Sequence, residues 1–244
     1  MFHLFKHVRR LYHIPGGQAP LVYDDMANQT HLLIAGKSGS GKSVVINGII
    51  YDLLCRYTPD QVQFIFMDPK RVELISYKYT PHCLYYATEK DEQKKALQFA
   101  LDITEERYQA MQQNRQKKYT GSQIFVVIDE LADLMTTVRK DITPLLQRLA
   151  QIGRAANIHI IAATQCPLSK IIPTEIKVNF DAILALKTVS KQHSRNIIDL
   201  PGAETLPPYG YGYYLTPKEF SLVKLPMVSE SEINRVCIAW EQQN

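Results

Sequence analysis

Tryptophan occurs once and cysteine four times in the 244 residues, and charge is nearly balanced, with 28 Lys and Arg against 24 Asp and Glu for a net +4. Cys55, Cys83, Cys166 and Cys237 stand far apart, with no Cys-x-x-Cys pair and no close Cys/His cluster. That spacing excludes a zinc site and a disulfide framework and reads as reduced, structural thiols. No apolar run approaches the ~18 residues that mark a membrane-spanning helix. The cationic stretch 1–10 is followed by Pro15, Gly16 and Gly17 with no apolar segment of signal-peptide length between, so the expected location is the cytoplasm. A hydrophobic share of 45% and a charged share of 21% exclude disordered and collagen-like classes. The mild positive excess suits a phosphate-rich partner without specifying one.

What is present is an alternation of two periods. Short β-rich strings occur at 31–35, 62–67, 124–128, 158–163 and 182–186, each a candidate buried strand. Between them, Val45, Ile46, Ile49, Ile50 and Leu53, and again Ile142, Leu145, Leu146, Leu149 and Ile152, recur at helical spacing. Strand then helix, repeated, predicts an α/β fold whose mostly parallel sheet is flanked by helices on both faces. Residues 93–118 read as a long helix with a solubilising charged face. Beyond Asp199, Pro and Gly punctuate Tyr-rich pieces, predicting turns, a C-terminal β-hairpin added to the sheet and a last helix over 229–240. A single domain accounts for the chain: a lead-in over 1–29, a nucleotide-binding core over 30–199, and the hairpin and helix over 200–244.

Gly36-Lys37-Ser38-Gly39-Ser40-Gly41-Lys42-Ser43 fits G-x-x-x-x-G-K-[ST] and lies between a predicted strand and a predicted helix, where a phosphate-binding loop belongs. Its glycines let the backbone N–H groups and the helix N-terminus converge on a phosphate chain. Lys42 would neutralise the β- and γ-phosphates of ATP, and the Ser43 hydroxyl would ligate Mg²⁺. The strand at 124–128 ends in Asp129, a second residue for the Mg²⁺ shell, and then Glu130, placed to deprotonate an attacking water or to cap the helix that follows. Gln165 ends the next apolar strand and would face the γ-phosphate if that strand adjoins the loop strand. Arg154, between a helix and that strand, reads either as a solvated helix-end charge or as a guanidinium reaching a neighbouring subunit's nucleotide. Arg139, Lys140, Lys170 and Lys177 fall in segments that suit either DNA phosphates or plain solvation.

Longer blocks add to these motifs. HLLIAGKSGSGKSVVIN, MDPKRVEL with Pro81 and His82 after it, VVIDELADLM, RLAQIGRAANIHIIAATQ, VSKQHSRNIID and PGAETL follow one another in this order. Together they resemble the FtsK/SpoIIIE family of RecA-like DNA translocases, over most of residues 20–235. The resemblance implies a RecA-like P-loop NTPase in which the Gln165 strand lies between the strands leading to Lys42 and Asp129. It implies a hexameric ring around double-stranded DNA with ATP and Mg²⁺ at subunit interfaces, Arg154 acting in trans and Arg195 at the interface or sensing nucleotide. The chain departs from the family pattern where Cys166 follows Gln165, where His193 replaces an Asp, and where Tyr211 replaces an acidic residue. It reads as the ATPase subdomain alone, so that a separate partner would supply the other motor subdomain or an anchor. The expected activity is ATP-driven translocation of duplex DNA on a chromosome, plasmid, phage or conjugative element. A secretion-type ring ATPase moving protein, or a nucleotide-binding adaptor, are the alternatives.

Overall fold

The computed structural model describes residues 30–137, 139–165, 172, 174–208 and 210–243. The expected lead-in over 1–29, together with Cys166 and Lys170, lies outside them. Eight strands, β1 (His31–Ala35), β2 (Val62–Met67), β3 (Cys83–Ala87), β4 (Gln123–Ile128), β5 (Ile158–Thr164), β6 (Ala182–Leu186), β7 (Tyr211–Leu215) and β8 (Phe220–Lys224), form one sheet in the order β3-β2-β4-β5-β1-β6-β7-β8. The first six run parallel, while β7 and β8 close the far edge as an antiparallel hairpin. β5 therefore lies between β1 and β4, as the resemblance implies.

The helices are α1 (Lys42–Arg56), α2 (Lys90–Gln113), α3 (Leu131–Thr137), α4 (Arg139–Ile152), α5 (Thr174–Lys177), α6 (Lys191–Ile198) and α7 (Glu230–Glu241). β1, β5 and β6 are buried at every position, which is why they read as unbroken aliphatic runs rather than alternating ones. On one face Leu97 and Ala100 of α2 and Ile142, Leu146 and Leu149 of α4 form the core with the sheet. On the other, Val45, Ile46, Ile49, Ile50 and Leu53 of α1 share a second core with Ile233, Val236 and Cys237 of α7. The helical spacing read from the sequence is thus the imprint of two cores, one per face.

Three features depart from expectation. β3 is an edge strand with four of its five residues only half-buried, so its Cys-Leu-Tyr-Tyr-Ala composition carries no strong strand signal. α2 starts earlier than expected, at Lys90, because Glu89 and Glu92 close a reciprocal capping box there. Its charges are not all solubilising, since Arg107 is buried. The Arg107 guanidinium donates to the carbonyls of Ala156 (2.8 Å) and Asn157 (3.3 Å) and to Ser122 Oγ (3.0 Å), and lies 4.3 Å from the centroid of the Tyr119 ring. This arginine ties α2 to the loops feeding β4 and β5.

The C-terminal pieces form as expected and are held by specific contacts. β7 joins β6 with Leu184 opposite Tyr214, and a Cβ at Gly212 would come within 2.8 Å of Leu184 Cδ1, so glycine lets the two strands approach without displacing that side chain. α7 is capped by Ser229. Trp240 Nε1 donates to the Leu54 carbonyl at 3.0 Å, and the His82 ring meets the indole edge-on at 4.7 Å.

Candidate active site

The phosphate-loop sequence turns sharply between β1 and α1, and its base is pinned on both sides. Gly36 N donates to Thr164 O of β5 (3.2 Å), and Lys37 N donates to Lys187 O just beyond β6 (2.9 Å). Gly39 and Gly41 adopt φ of 70° and 100°, the left-handed region that a Cβ disfavours. At Gly36 the limit is contact: a Cβ would lie 2.5 Å from Ser40 Oγ and 2.9 Å from Leu186 Cβ. Lys42 is buried, with Nζ donating to the carbonyls of Gly36 (3.0 Å) and Lys37 (2.9 Å), so its ammonium is held across the mouth of the loop. Burial lowers its pKa from the usual lysine value, opposed first by the charge of Glu130.

α1 begins with no side-chain cap and no acidic residue in its first turn, whereas α2 and α7 both open on capping boxes. The N–H groups at the start of α1 are therefore not taken up by the chain's own carboxylates, an arrangement that suits an anion.

Asp129 and Glu130 follow β4 at the same carboxyl edge of the sheet, where ligands of open α/β sheets bind. Both are 4% exposed. Asp129 Oδ2 is buried without a hydrogen bond, and Lys70 Nζ stands 3.6 Å away, at ion-pair but not hydrogen-bond distance. Burial pushes the Asp129 carboxyl up to about 6, with the Lys70 charge opposing and Glu73, Asp68 and Glu130 adding to the rise. Glu130 Oε1 accepts from Gln165 N (3.1 Å) and Ala132 N (3.3 Å). The bond from Ala132 N caps the start of α3, and Gln165 reaches Glu130 through its main chain.

These residues fit a Mg²⁺-nucleotide. An uncapped helix start and glycine turns form the cradle. Lys42 lies across its mouth, Ser43 is half-buried in the first turn of α1, and Asp129 keeps one buried oxygen with no hydrogen-bonding partner. Lys70 and Glu73 join the site without having been assigned a role from sequence; the charges of both act on Lys42 and on Asp129. The only signal was the MDPKRVEL block itself, whose first residue ends β2, the neighbour of β4.

The remaining candidates are dispersed. Arg154 is in the turn before β5, 75% exposed and 3.8 Å from Asp181. β5 separates it from Gln165, and seven extended residues span about 23 Å, so Arg154 lies at the opposite edge of the sheet from its own phosphate loop. Arg195 is exposed on α6. Arg139 and Lys140 are exposed at the start of α4. Lys177 Nζ donates to Asn196 O (3.0 Å) and lies 3.4 Å from Asp199 Oδ1, which commits it to the C-terminal end of α6.

Comparison with known proteins bears on this geometry. The model of the FtsK/SpoIIIE family matches residues 13–122 and 112–169. The chain belongs to the FtsK/SpoIIIE family. Its relatives include the DNA translocase FtsK of Rickettsia typhi, 38% identical over 89% of this chain and 35% of the relative, and DNA translocase FtsK 1 of Neisseria meningitidis, 37% identical over 91% and 32%. The chain spans about a third of the length of these FtsK relatives. Among solved structures, the pCW3 conjugation coupling protein TcpA with ATPγS superimposes with a TM-score of 0.77 at 23% identity, over 88% of this chain and 66% of TcpA. EssC (ATPases 2 and 3) of Geobacillus thermodenitrificans gives 0.76 at 18%, over 89% and 46%. The FtsK/SpoIIIE chain therefore has the P-loop ATPase fold, and among its described residues no helix is long and apolar enough to cross a membrane.

Proposed function

We propose that this chain is an ATP-hydrolysing motor core that drives double-stranded DNA through a homo-hexameric ring. The observation carrying the proposal is the meeting of Lys42, Asp129 and Glu130 at one edge of the sheet, in a chain of the FtsK/SpoIIIE family. Ser43 and Asp129 would hold Mg²⁺, which supplies charge neutralisation on the phosphates. Lys42 orients the β- and γ-phosphates, and the loop amides from Gly36 to Ser43 enclose them. Glu130, held by Gln165 N, takes a proton from the attacking water. The position of Arg154 at the far edge of the sheet favours action on the nucleotide of an adjacent copy, where a guanidinium stabilises charge on the transferring phosphoryl group. Arg195 belongs to the same reading as an interface residue. Duplex DNA would be gripped through its phosphates, which makes binding tolerant of sequence and sensitive to salt. Arg139, Lys140 and Lys170 remain the cations proposed for that contact, whereas the Lys177 bonds to α6 favour a structural role.

The test is steady-state ATP hydrolysis across protein concentrations, with and without long linear duplex DNA, using Glu130→Gln as control. A DNA-stimulated rate that rises with assembly and is absent from the variant is expected. A rate indifferent to DNA but raised by a secretion-signal peptide would assign the chain to protein transport instead.

A further inference from the structure

Lys70 lies on the segment that leaves β2, and that segment is tied down rather than loose. Asp68 is fully buried, and its Oδ2 accepts from Leu74 N (3.0 Å) and from Tyr86 Oη (3.0 Å), closing the turn over 68–74 and joining it to β3. Arg71 N donates to Asp68 O at 3.1 Å, with Arg71 itself at φ 60° and its guanidinium paired with Glu89. A residue other than glycine in the left-handed region is uncommon and persists where surrounding bonds over-determine it. These anchors set the Lys70 backbone beside β4 and aim its stem at Asp129, so Nζ reaches 3.6 Å from Oδ2 while the side chain stays 42% exposed.

Around that contact the charges are Lys42 and Lys70 against Asp129, Glu130, Glu73 and the buried Asp68, and the Lys70 charge acts on both Lys42 and Asp129. Lys42 is already bonded to Gly36 O and Lys37 O, which leaves Lys70, among the described residues, as the cation within ion-pair reach of the buried Asp129 oxygen. We infer that Lys70 is a built-in counter-ion for Asp129, neutralising that carboxylate until a divalent cation takes its place, whereupon the half-exposed ammonium swings toward solvent. Lys70 is a positioning residue: it keeps the site receptive to the nucleotide polyanion before the metal arrives, and it competes with the metal afterwards. The inference rests on the nucleotide-site reading above.

The experiment is calorimetric titration of ATP into the wild type, Lys70→Gln and Lys70→Arg, each in EDTA and in saturating Mg²⁺. Without the ammonium, metal-free ATP meets an uncompensated carboxylate, while Mg²⁺-ATP no longer has a competitor to displace. The ratio of Kd in EDTA to Kd in Mg²⁺ should therefore rise by about tenfold in Lys70→Gln, the worth of a unit charge at this separation between the bulk-water limit and that of a partly buried site. Lys70→Arg should return the ratio toward wild type. Because Lys70 is partly exposed, thermal melts without nucleotide should show all three proteins folded. An unchanged ratio in Lys70→Gln, including an equal loss of affinity in both conditions, would overturn the inference while leaving the nucleotide site standing. A wild type that binds ATP in neither condition would overturn the site and the inference together.

Discussion

On the proposed function Lys42 and Glu130 have separable tasks, and single substitutions should separate them. Lys42→Ala removes the ammonium across the loop mouth, so ATP affinity should collapse; Glu130→Gln keeps the cradle, so affinity should persist while turnover falls by orders of magnitude. Equilibrium binding set beside steady-state rates checks the split. His31 makes a different prediction, about stability. Its Nδ1 accepts from Ile160 N (3.0 Å) and its Nε2 donates to Ala150 O (2.9 Å), an arrangement that needs the neutral ring. Burial, more than any neighbouring charge, holds its pKa down at about 4 from an ordinary 6.5. Between those values the unfolded chain binds a proton that the folded chain refuses, so stability rises with pH across the window and is lost as pH falls through it. A displacement of this size corresponds to about 3 kcal/mol. Buried His82, also shifted down, acts with the same sign. The raised carboxyls of Asp129 and Asp52 act with the opposite sign in both proteins, so the change in urea midpoint from pH 7 to pH 4.5 should be less favourable to the wild type than to His31→Gln.

The phosphate loop and α7 are elements whose roles follow from packing. Gly36→Ala places a Cβ against Ser40 Oγ and Leu186 Cβ, at 2.5 and 2.9 Å, so the loop must shift away from β6. Nucleotide affinity should drop with the fold retained, read by titration beside far-ultraviolet circular dichroism. α7 buries Ile233, Val236 and Cys237 on the α1 core. Ile233→Ala should cost about 2–5 kcal/mol, followed in urea by the fluorescence of Trp240, the single tryptophan. That residue's indole is bonded to Leu54 O on α1, so its emission reports directly whether α7 is seated. β3 and the Arg107 anchor show why some elements escape a reading of periodicity: a half-exposed edge strand needs no aliphatic run, and a buried arginine looks like any other charge on a helix until the carbonyls it meets are known.

Taken whole, the molecule separates Arg154 from its own phosphate loop by the length of β5, which makes this residue the sharpest test of assembly. Its ion pair with Asp181 is long and the side chain exposed, and such pairs contribute little to stability. Arg154→Ala should therefore melt like wild type yet lose assembly-dependent ATP turnover by about 10³-fold or more, the usual worth of an arginine acting in trans. Hydrolysis measured over a range of protein concentrations distinguishes this from simple misfolding. Full activity in the variant would move the role to another cation, with Arg195 the next to examine.

The α/β class, the strands at 31–35, 62–67 and 182–186, and the nucleotide loop were legible in the amino-acid order because each depends on local pattern: aliphatic runs for two-sided burial, glycines for left-handed turns, and a Lys-Ser pair at a helix start. Strand order was not local. The family resemblance implied β5 between β1 and β4, and the hydrogen-bonded sheet bears this out. Other relations existed only after the chain had closed on itself. Glu130 meets the amide of Gln165 across 35 residues, Lys70 faces Asp129 from a neighbouring strand's turn, and Arg107 finds the Ala156 and Asn157 carbonyls just before β5. Such pairings depend on strand order and on which side chains are denied water, and both are properties of the packed sheet rather than of any stretch of sequence.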